Sequence, residues 1–145
     1  MDHIAIMRKS WGLLPKILEG TKTVESRWYK NKYAPWGKIQ KRDTIYFKNS
    51  GEGITIKATV DKVLSFENLT PEIVLEILEE FGSNDGIENS SIPYYFKLFR
   101  VKRYCLLIFL KDVQKIEPFQ INKKGFGAKS AWLTIADIRQ VKVAT

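Results

Sequence analysis

Three charged side chains stand close together early in the chain, and their types suit the binding or activation of a polar ligand. They are Lys22, Glu25 and Arg27, in the octapeptide 20–27 with the sequence GTKTVESR. In an extended segment Glu25 and Arg27 point to the same face, so a carboxylate and a guanidinium can pair side by side. Lys22 lies at the preceding turn, after Gly20, and can reach the same space. The pattern indicates either a ligand site or a structural ion pair that fixes a helix-to-strand connection.

The octapeptide resembles the G-x-K-x-x-E-x-R signature of ASCH domains, which belong to the PUA-like superfamily. Residues 11–18 are similar to the family's preceding helix, and residues 35–48 to the segment that leads into a family strand. Arg42 stands where the family usually has glycine, so we expect a less tight turn there. The resemblance covers residues 1–66 well. It implies an α+β fold, a small mixed or antiparallel β-barrel with helices packed around it.

The resemblance also implies a function. Members of the superfamily bind RNA, modified bases or nucleosides in a cleft beside this motif. Some small ASCH proteins resemble amidohydrolases acting on acetylated cytidine, with a lysine, a threonine three residues later and a distant carboxylate. In this chain those positions are Lys22 and Glu25, and the distant acid would be Asp85 or Glu88.

Position 25 weakens the enzymatic interpretation. Glu25 has no hydroxyl to carry an acyl group, so the chain lacks a recognisable nucleophile. A carboxylate beside Lys22 also keeps that lysine protonated, which is the wrong state for a base or nucleophile. A different hydrolytic scheme remains open, in which Glu25 activates water.

Basic and aromatic residues around the motif suit a nucleic-acid ligand. Residues 28–42 hold five cations, interleaved aromatic rings and no acid. Cations for phosphates beside flat rings for bases are typical of single-strand or flipped-base recognition. Residues 122–130 combine glycines with three lysines and can present backbone N–H groups to an anion. Besides the motif, the predicted ligand-contacting residues are Trp28, Trp36, Lys123, Lys124, Phe126, Lys129 and Trp132.

The charge is distributed unevenly along the chain. The net charge is +8, but residues 63–96 contain seven acids and no Lys or Arg. An acidic segment on a basic body favours a polarised surface that attracts polyanions to one side. A further basic cluster lies at 100–103, where the cations also suit a helix C-terminus.

Cysteine and histidine usage excludes several classes of protein. Cys105 is the only cysteine, so no internal disulfide can form, which suits a cytoplasmic location. A single histidine, His3, cannot build a Cys/His metal site, and we expect neither a metal nor another cofactor. The longest apolar run, 104–110, is too short to cross a bilayer, and the first residues lack a signal-peptide pattern.

The hydrophobic pattern predicts the elements that must position the motif. We expect one domain, 1–145, in the order β-α-β-β-β-α-α-β-β. The clearest signal is a hairpin of strands 44–48 and 54–64, in which one face is apolar. Its buried residues are predicted to be Ile54, Ile56, Ala58 and Val60.

Helices are predicted over 70–81 and from about residue 91. The first has a threonine cap followed by proline, and the second has an apolar face that favours the core. That face comprises Ile92, Tyr95, Phe96 and Phe99. A central strand at 103–113, a loop at 119–129 and a strand at 131–135 complete the predicted order, and 138–143 is a candidate for one additional strand.

Two main functions follow from these features. The first is a domain that holds RNA or a nucleotide-like ligand, with a base or modified nucleoside in a cleft beside Lys22, Glu25 and Arg27. The alternative is a hydrolase, of amidohydrolase or ribonuclease type, that uses Lys22 and Glu25 on RNA or an acetylated nucleoside. A weaker third hypothesis is a protein-interaction domain that uses the acidic helix. The sequence indicates no membrane partner and no particular oligomeric state.

Overall fold

A six-stranded mixed sheet forms the centre of the protein in a computed structural model, which describes residues 1–127 and 130–143. The strands are β1 (Asp2–Met7), β2 (Val24–Tyr29), β3 (Thr44–Asn49), β4 (Ile54–Phe66), β5 (Tyr104–Phe119) and β6 (Trp132–Ile135). Their order across the sheet is β2-β5-β4-β3-β1-β6. Strands β1 and β3 are parallel, and the other neighbours are antiparallel.

The sheet curls into a half-barrel against which helices pack. Register shifts interrupt both β3–β4 and β4–β5 pairing, and such bulges bend and twist long strands. The helices in the described residues are α1 (Leu13–Glu19), α2 (Pro71–Phe81) and α3 (Ile92–Phe99). This architecture confirms the predicted α+β barrel fold. None of these helices combines the length and apolar character needed to span a membrane.

The β3–β4 hairpin is confirmed, together with its buried face. Thr44 lies opposite Thr59 and Phe47 opposite Ile56 in an antiparallel ladder. The four predicted core residues of β4 are all at most 1% exposed. Ile56, Ala58 and Val60 join a core with β1, α1 and the first part of β5, and Ile54 packs with residues of β1 and β6. This burial fixes the register because a one-residue slip would expose the apolar face.

Helix α2 begins as the sequence predicts. The Thr70 hydroxyl accepts a hydrogen bond from the backbone N–H of Ile73 at 3.3 Å, and Pro71 occupies the first helical position. The buried side of α2, with Val74 and Leu78, packs on Ile87 and on α3. This packing holds the loop between α2 and α3 against β2.

The region after residue 113 differs from the prediction. Strand β5 continues to Phe119 because it stays paired with β4, as far as Ile54 opposite Phe119. Its half-buried residues 113, 116 and 119 are three apart rather than two. The sequence there therefore lacks the alternating pattern that indicates a strand. The predicted strand at 138–143 is wrong: Ile138–Gln140 is a 3₁₀ turn.

A local cap explains that turn. The Asp137 carboxylate accepts a hydrogen bond from the backbone N–H of Arg139 at 2.8 Å, and the Gln140 side chain accepts one from the backbone N–H of Asp137. Such side-chain bonds satisfy the backbone locally and compete with strand pairing. An isolated β-bridge, Ile121 with Lys142, joins this region to the chain after β5, and the backbone N–H of Ile138 donates to Asp2 at the start of β1.

The turn at residues 40–43 is not looser than a glycine-containing turn. Arg42 takes the left-handed conformation with φ 79°, which glycine adopts most readily. The backbone N–H of Asp43 still reaches the carbonyl of Gln40 at 3.1 Å. The tight turn therefore forms with a strained arginine in place of the family's glycine.

Candidate functional site

A cavity of about 290 Å³ opens beside the predicted motif. It lies between the start of β2, the loop that precedes α3, and α3 itself. Its polar end comprises Lys22, Glu25, Ser26, Arg27 and Asp85, and its aromatic residues are Trp11, Trp28, Tyr95 and Phe99. We call it the first cavity.

Lys22 is the centre of the polar end. Its side chain is 1% exposed, and Nζ donates to the carbonyls of Val24 (2.7 Å) and Asp85 (2.9 Å) and to the Asp85 carboxylate. Glu25 Oε1 lies 3.1 Å from the same nitrogen. Burial opposes the charged form, but attraction to the Asp85 and Glu25 carboxylates raises the pKa of Lys22 above its ordinary value. The lysine stays charged and its donors are committed to the protein.

Glu25 is paired on both sides. Besides Lys22, it accepts hydrogen bonds on Oε2 from Arg27 Nε (3.2 Å) and Nη2 (2.8 Å). Burial alone favours the neutral acid, but Lys22 and Arg27 lower the pKa of Glu25 below its ordinary value. The side-by-side pairing predicted for Glu25 and Arg27 is present.

The pKa of Asp85 is shifted in the opposite direction to that of Glu25. Burial and the nearby Glu25 charge raise the pKa of Asp85, against the opposing effects of Lys22 and of a hydrogen bond from Ser26. Two carboxylates share one lysine, and Glu25 has a second cation whereas Asp85 has only a hydroxyl. Asp85 is therefore the carboxylate in this cluster that protonates most readily.

The loop that carries Asp85 is held tightly on β2. The Asn84 carbonyl accepts hydrogen bonds from the backbone N–H groups of Thr23 (2.7 Å) and Val24 (3.0 Å). Gly86 follows with φ 80°, and a Cβ there would lie 3.3 Å from the Cβ of Lys22. The absence of a side chain at 86 lets the loop lie against the buried lysine. Of the two acids predicted for this role, Asp85 is in the site and Glu88 is exposed.

Ser26 is a site residue that the sequence interpretation missed. Its hydroxyl donates to Asp85 Oδ2 at 2.5 Å and accepts from the Trp28 indole N–H at 3.0 Å. Strand alternation places Ser26 on the face opposite Glu25, so spacing within β2 gave no reason to connect it with the motif. A small hydroxyl residue beside a ligand motif was the only available signal.

Aromatic rings form a continuous wall along the cavity. Trp28 stacks on Phe99 with ring centroids 4.6 Å apart, and Tyr95 contacts both Phe99 (5.9 Å) and Trp11 (5.4 Å). Arg8 lies over the Trp11 ring at 4.6 Å. The prediction that the α3 aromatics belong to the core holds only in part, since Tyr95 and Phe99 also line the cavity.

A second cavity, of about 650 Å³, lies on the other side of Arg27. It is lined by Arg27, Tyr29, Tyr33, Ala34, Gly127, Ser130, Ala131 and Trp132. Arg27 donates to the Ala131 carbonyl at 3.2 Å, and its guanidinium carbon lies 5.0 Å from the centre of the Trp132 ring. These contacts link β2 to β6, the two edge strands of the sheet.

The remaining predicted ligand residues lie at different distances from the two cavities. Lys123 Nζ donates to the carbonyl of Ser130 at 2.9 Å, beside the second cavity. Lys124 and Phe126 are exposed and line neither cavity. Trp36 packs on Tyr104, with centroids 5.3 Å apart, and also lies outside both cavities. Lys129 falls outside the described residues. Ligand contacts for all five of these residues stay predictions.

Lys102 adds a cation to the first cavity. It belongs to the basic cluster predicted at 100–103, and it lines the cavity together with Arg8 and Arg27. The cavity therefore combines a carboxylate-bearing end, a wall of stacked rings and three cations besides the buried Lys22.

Comparison with known proteins supports the fold. No protein-family model matches the chain, and no curated protein is similar enough to match. Among solved structures, the ASCH protein of Zymomonas mobilis superposes with a TM-score of 0.64 at 15% identity, covering 92% of this chain and 87% of that one. Its Y47F mutant gives a TM-score of 0.67 at 14% identity, with 96% and 93% covered. At these identities the likeness shows an ASCH-like fold, as the motif predicted.

Proposed function

We propose that the protein binds RNA or a nucleotide by holding one unpaired base in the first cavity. The observation that carries this proposal is the combination of buried carboxylates at one end of the cavity with a wall of aromatic rings. Flat rings provide stacking surfaces for any base, whereas the carboxylates provide directed acceptors. The ASCH-like fold agrees with it, because the superfamily that the motif resembles binds RNA or modified bases in this region.

The acceptors favour a base with an exocyclic amino group. A carboxylate offers about four acceptor positions. The contacts above use three positions on Glu25, one on Oε1 and two on Oε2, and one on each Asp85 oxygen, so acceptor capacity remains. Carboxylates accept hydrogen bonds from cytosine N4, and the adenine N6 amino group is a donor of the same kind. We therefore expect cytosine or adenine to bind better than uracil, which presents a carbonyl at the equivalent position.

The cations suit the phosphate of the same nucleotide. Arg8 is exposed, Lys102 is half-buried, and both line the cavity that the base would enter. Their contribution should weaken as salt rises, since counterions compete for the phosphate. Lys22 has a different role, because its committed donors hold Glu25 and Asp85 in position.

Isothermal titration calorimetry at low salt tests this function. Cytidine and adenosine 5′-monophosphates should bind, and uridine 5′-monophosphate should bind more weakly. Tyr95→Ala should lower affinity by removing part of the stacking wall, whereas Tyr94→Ala is a matched control because Tyr94 is 52% exposed and does not line the first cavity. No heat of binding for any of the three nucleotides at low salt would reject the proposal.

A second candidate function, hydrolysis of an acylated nucleoside, is favoured by the Ser26–Asp85 contact. The Ser26 oxygen would attack the acyl carbon while its proton passes to Asp85 Oδ2, and the departing amine would then take that proton. Water would hydrolyse the resulting serine ester and restore the hydroxyl. A raised pKa makes Asp85 a stronger base than an ordinary aspartate. In this scheme Lys22 and Glu25, which the sequence predicted as catalytic, would instead position Asp85.

Turnover of N4-acetylcytidine separates the two candidates. The hydrolase requires release of acetate by the unmodified protein and its loss in Ser26→Ala. Under the binding function alone, the unmodified protein releases no acetate but still binds cytidine 5′-monophosphate.

A further inference from the structure

The two cavities share one wall. Arg27 and Ala131 line both of them, and the hydrogen bond from Arg27 to the Ala131 carbonyl closes the gap between β2 and the segment before β6. A molecule longer than one nucleotide can therefore occupy both cavities by crossing this wall. A free base or nucleoside needs only the first.

The second cavity also offers a stacking surface. Trp132 is buried beneath the Arg27 guanidinium, and the Tyr29 hydroxyl is held by the Ala34 carbonyl at 3.3 Å. Tyr33 is different, because 62% of its surface is exposed while its ring still lies 6.4 Å from that of Tyr29. An exposed tyrosine at the edge of a polar cavity is a platform on which a base can stack.

Positive charge lies where a connecting phosphate would pass. The hydrogen bonds of Arg27 to Glu25, Met7 and Ala131 use four of its five N–H groups, which leaves one on Nη1. Lys123 does not line the second cavity, but its ammonium donates to the carbonyl of Ser130, which does. The wall that the two cavities share therefore carries a cation, the Arg27 guanidinium.

From these observations we propose that the second cavity is a subsite for the neighbouring nucleotide. The ligand is then a single-stranded nucleic acid of at least two nucleotides rather than a free nucleoside. Its first base occupies the aromatic cavity, its linking phosphate passes Arg27, and its second base stacks on Tyr33. This inference rests on the proposed function of the first cavity and adds the class of ligand.

Calorimetry with matched short ligands tests the subsite. The probes are cytidine 5′-monophosphate, the dinucleotide CpC and a CpC analogue that lacks the second base, with the adenine series in parallel. The dinucleotide should bind on the order of tenfold more tightly than the mononucleotide, since stacking of one base typically contributes that much. The abasic analogue should lose most of this gain.

Variants of Tyr33 identify the surface responsible. Tyr33→Ala should remove the gain for the dinucleotide and leave mononucleotide affinity unchanged, while Tyr33→Phe should retain it because the ring remains. Tyr94→Ala is the matched control for loss of an exposed tyrosine, and circular dichroism melting verifies that each variant folds.

The outcomes separate this inference from the proposed function. Equal affinity for mononucleotide and dinucleotide would overturn the subsite but leave the base-binding function intact. Equal weakening of both ligands by Tyr33→Ala would also overturn it, since Tyr33 would then act on the first base. Absence of mononucleotide and dinucleotide binding would reject both proposals together.

Discussion

Two buried polar clusters in this protein are similar in chemistry but differ in access to a cavity. The Lys22 cluster contains Lys22, Glu25, Asp85 and Ser26, whose side chains line the first cavity. The His3 cluster joins His3 to Asp43 (2.8 Å), Thr134 (3.0 Å) and Trp132 (3.2 Å). His3 and Asp43 line neither cavity. Among the described residues no buried side-chain nitrogen or oxygen lacks a partner, so hydrogen bonding does not distinguish the clusters.

Burial of polar groups is therefore a poor indicator of a functional site unless the groups also line a cavity. In the His3 cluster the Trp132 indole N–H donates to Nδ1, so Nε2 carries the hydrogen that Asp43 accepts. The neutral histidine thereby fixes the Trp132 ring, which faces the second cavity. We therefore expect the Lys22 cluster to affect both stability and binding, and the His3 cluster to affect mainly stability.

Removing the central cation should have the largest effect. Lys22→Met leaves two buried carboxylates with no lysine between them, which should lower the free energy of unfolding by about 3–5 kcal/mol. Urea unfolding at pH 7 measures this loss. The loss of unfolding free energy caused by Lys22→Met should be smaller near pH 4, because the raised pKa of Asp85 lets that carboxylate become neutral.

A matched control for Lys22→Met is Lys9→Met. Lys9 pairs with Glu52 at 2.7 Å, but both side chains are well exposed, so its loss should leave the unfolding curve unchanged. Comparable destabilisation by the two variants would contradict the role given to the buried lysine.

The close approach at Gly86 should give the next largest effect. Gly86→Ala combines an unfavourable left-handed backbone with crowding against Lys22, and should cost about 1–3 kcal/mol. Gly51→Ala is the control, since Gly51 has the same φ of +80° but no atom within 4 Å of the added Cβ. Thermal melting should show greater destabilisation for Gly86→Ala, and calorimetry should show weaker nucleotide binding only for that variant.

Acid should affect stability through the His3 cluster. Burial lowers the pKa of His3 below 6.5. The Asp43 and Asp2 carboxylates oppose this shift, whereas the N-terminal amine adds to it. At pH values between 6.5 and the lower pKa of His3 in the folded protein, His3 is protonated in the unfolded chain but not in the native protein. Stability should therefore fall as the pH drops below 6.5, with a slope of at most about 1.4 kcal/mol per pH unit.

Chemical denaturation between pH 7.5 and 5 measures this slope. The His3→Gln variant lacks the titrating ring, so its stability should change less over the same range. An identical slope in both proteins would show that His3 does not titrate differently in the native and unfolded states.

The smallest effect is expected at Arg42, in the turn that positions Asp43. Arg42→Gly relieves the left-handed strain but makes the unfolded chain more flexible, so we expect a stabilisation of less than about 1 kcal/mol. Nucleotide binding should not change, because Arg42 lines neither cavity. Differential scanning calorimetry measures the first effect, and a lower melting temperature would show that the arginine makes a compensating contact.

Local sequence patterns predicted those parts of the fold and site that depend on neighbours along the chain. The alternation of β4, the cap of α2 and the Glu25–Arg27 pair all follow from spacings of two to four residues. The bulges in β4 and β5 break the period of two, which is why the end of β5 was missed.

Contacts between distant segments were harder to predict. Ser26 meets Asp85, 59 residues away, only because the loop before α3 docks on β2. The apolar stripe of α3 likewise predicted which face is turned inward but not that Tyr95 and Phe99 border a cavity. Charge alone favoured Lys123, Lys124 and Lys129 equally, since a lysine-rich loop carries no information about distance to a ligand.

The pairing of β6 with β1 has a consequence for protein synthesis. Ala131 and Trp132 are synthesised more than a hundred residues after β1, with which Trp132 pairs. A nascent chain that stops at residue 120 can contain the whole Lys22 cluster, yet it lacks the wall between the cavities. The proposed binding across both cavities therefore requires that β6 has left the ribosome and paired with β1, so a chain truncated before residue 131 should not bind a polynucleotide there.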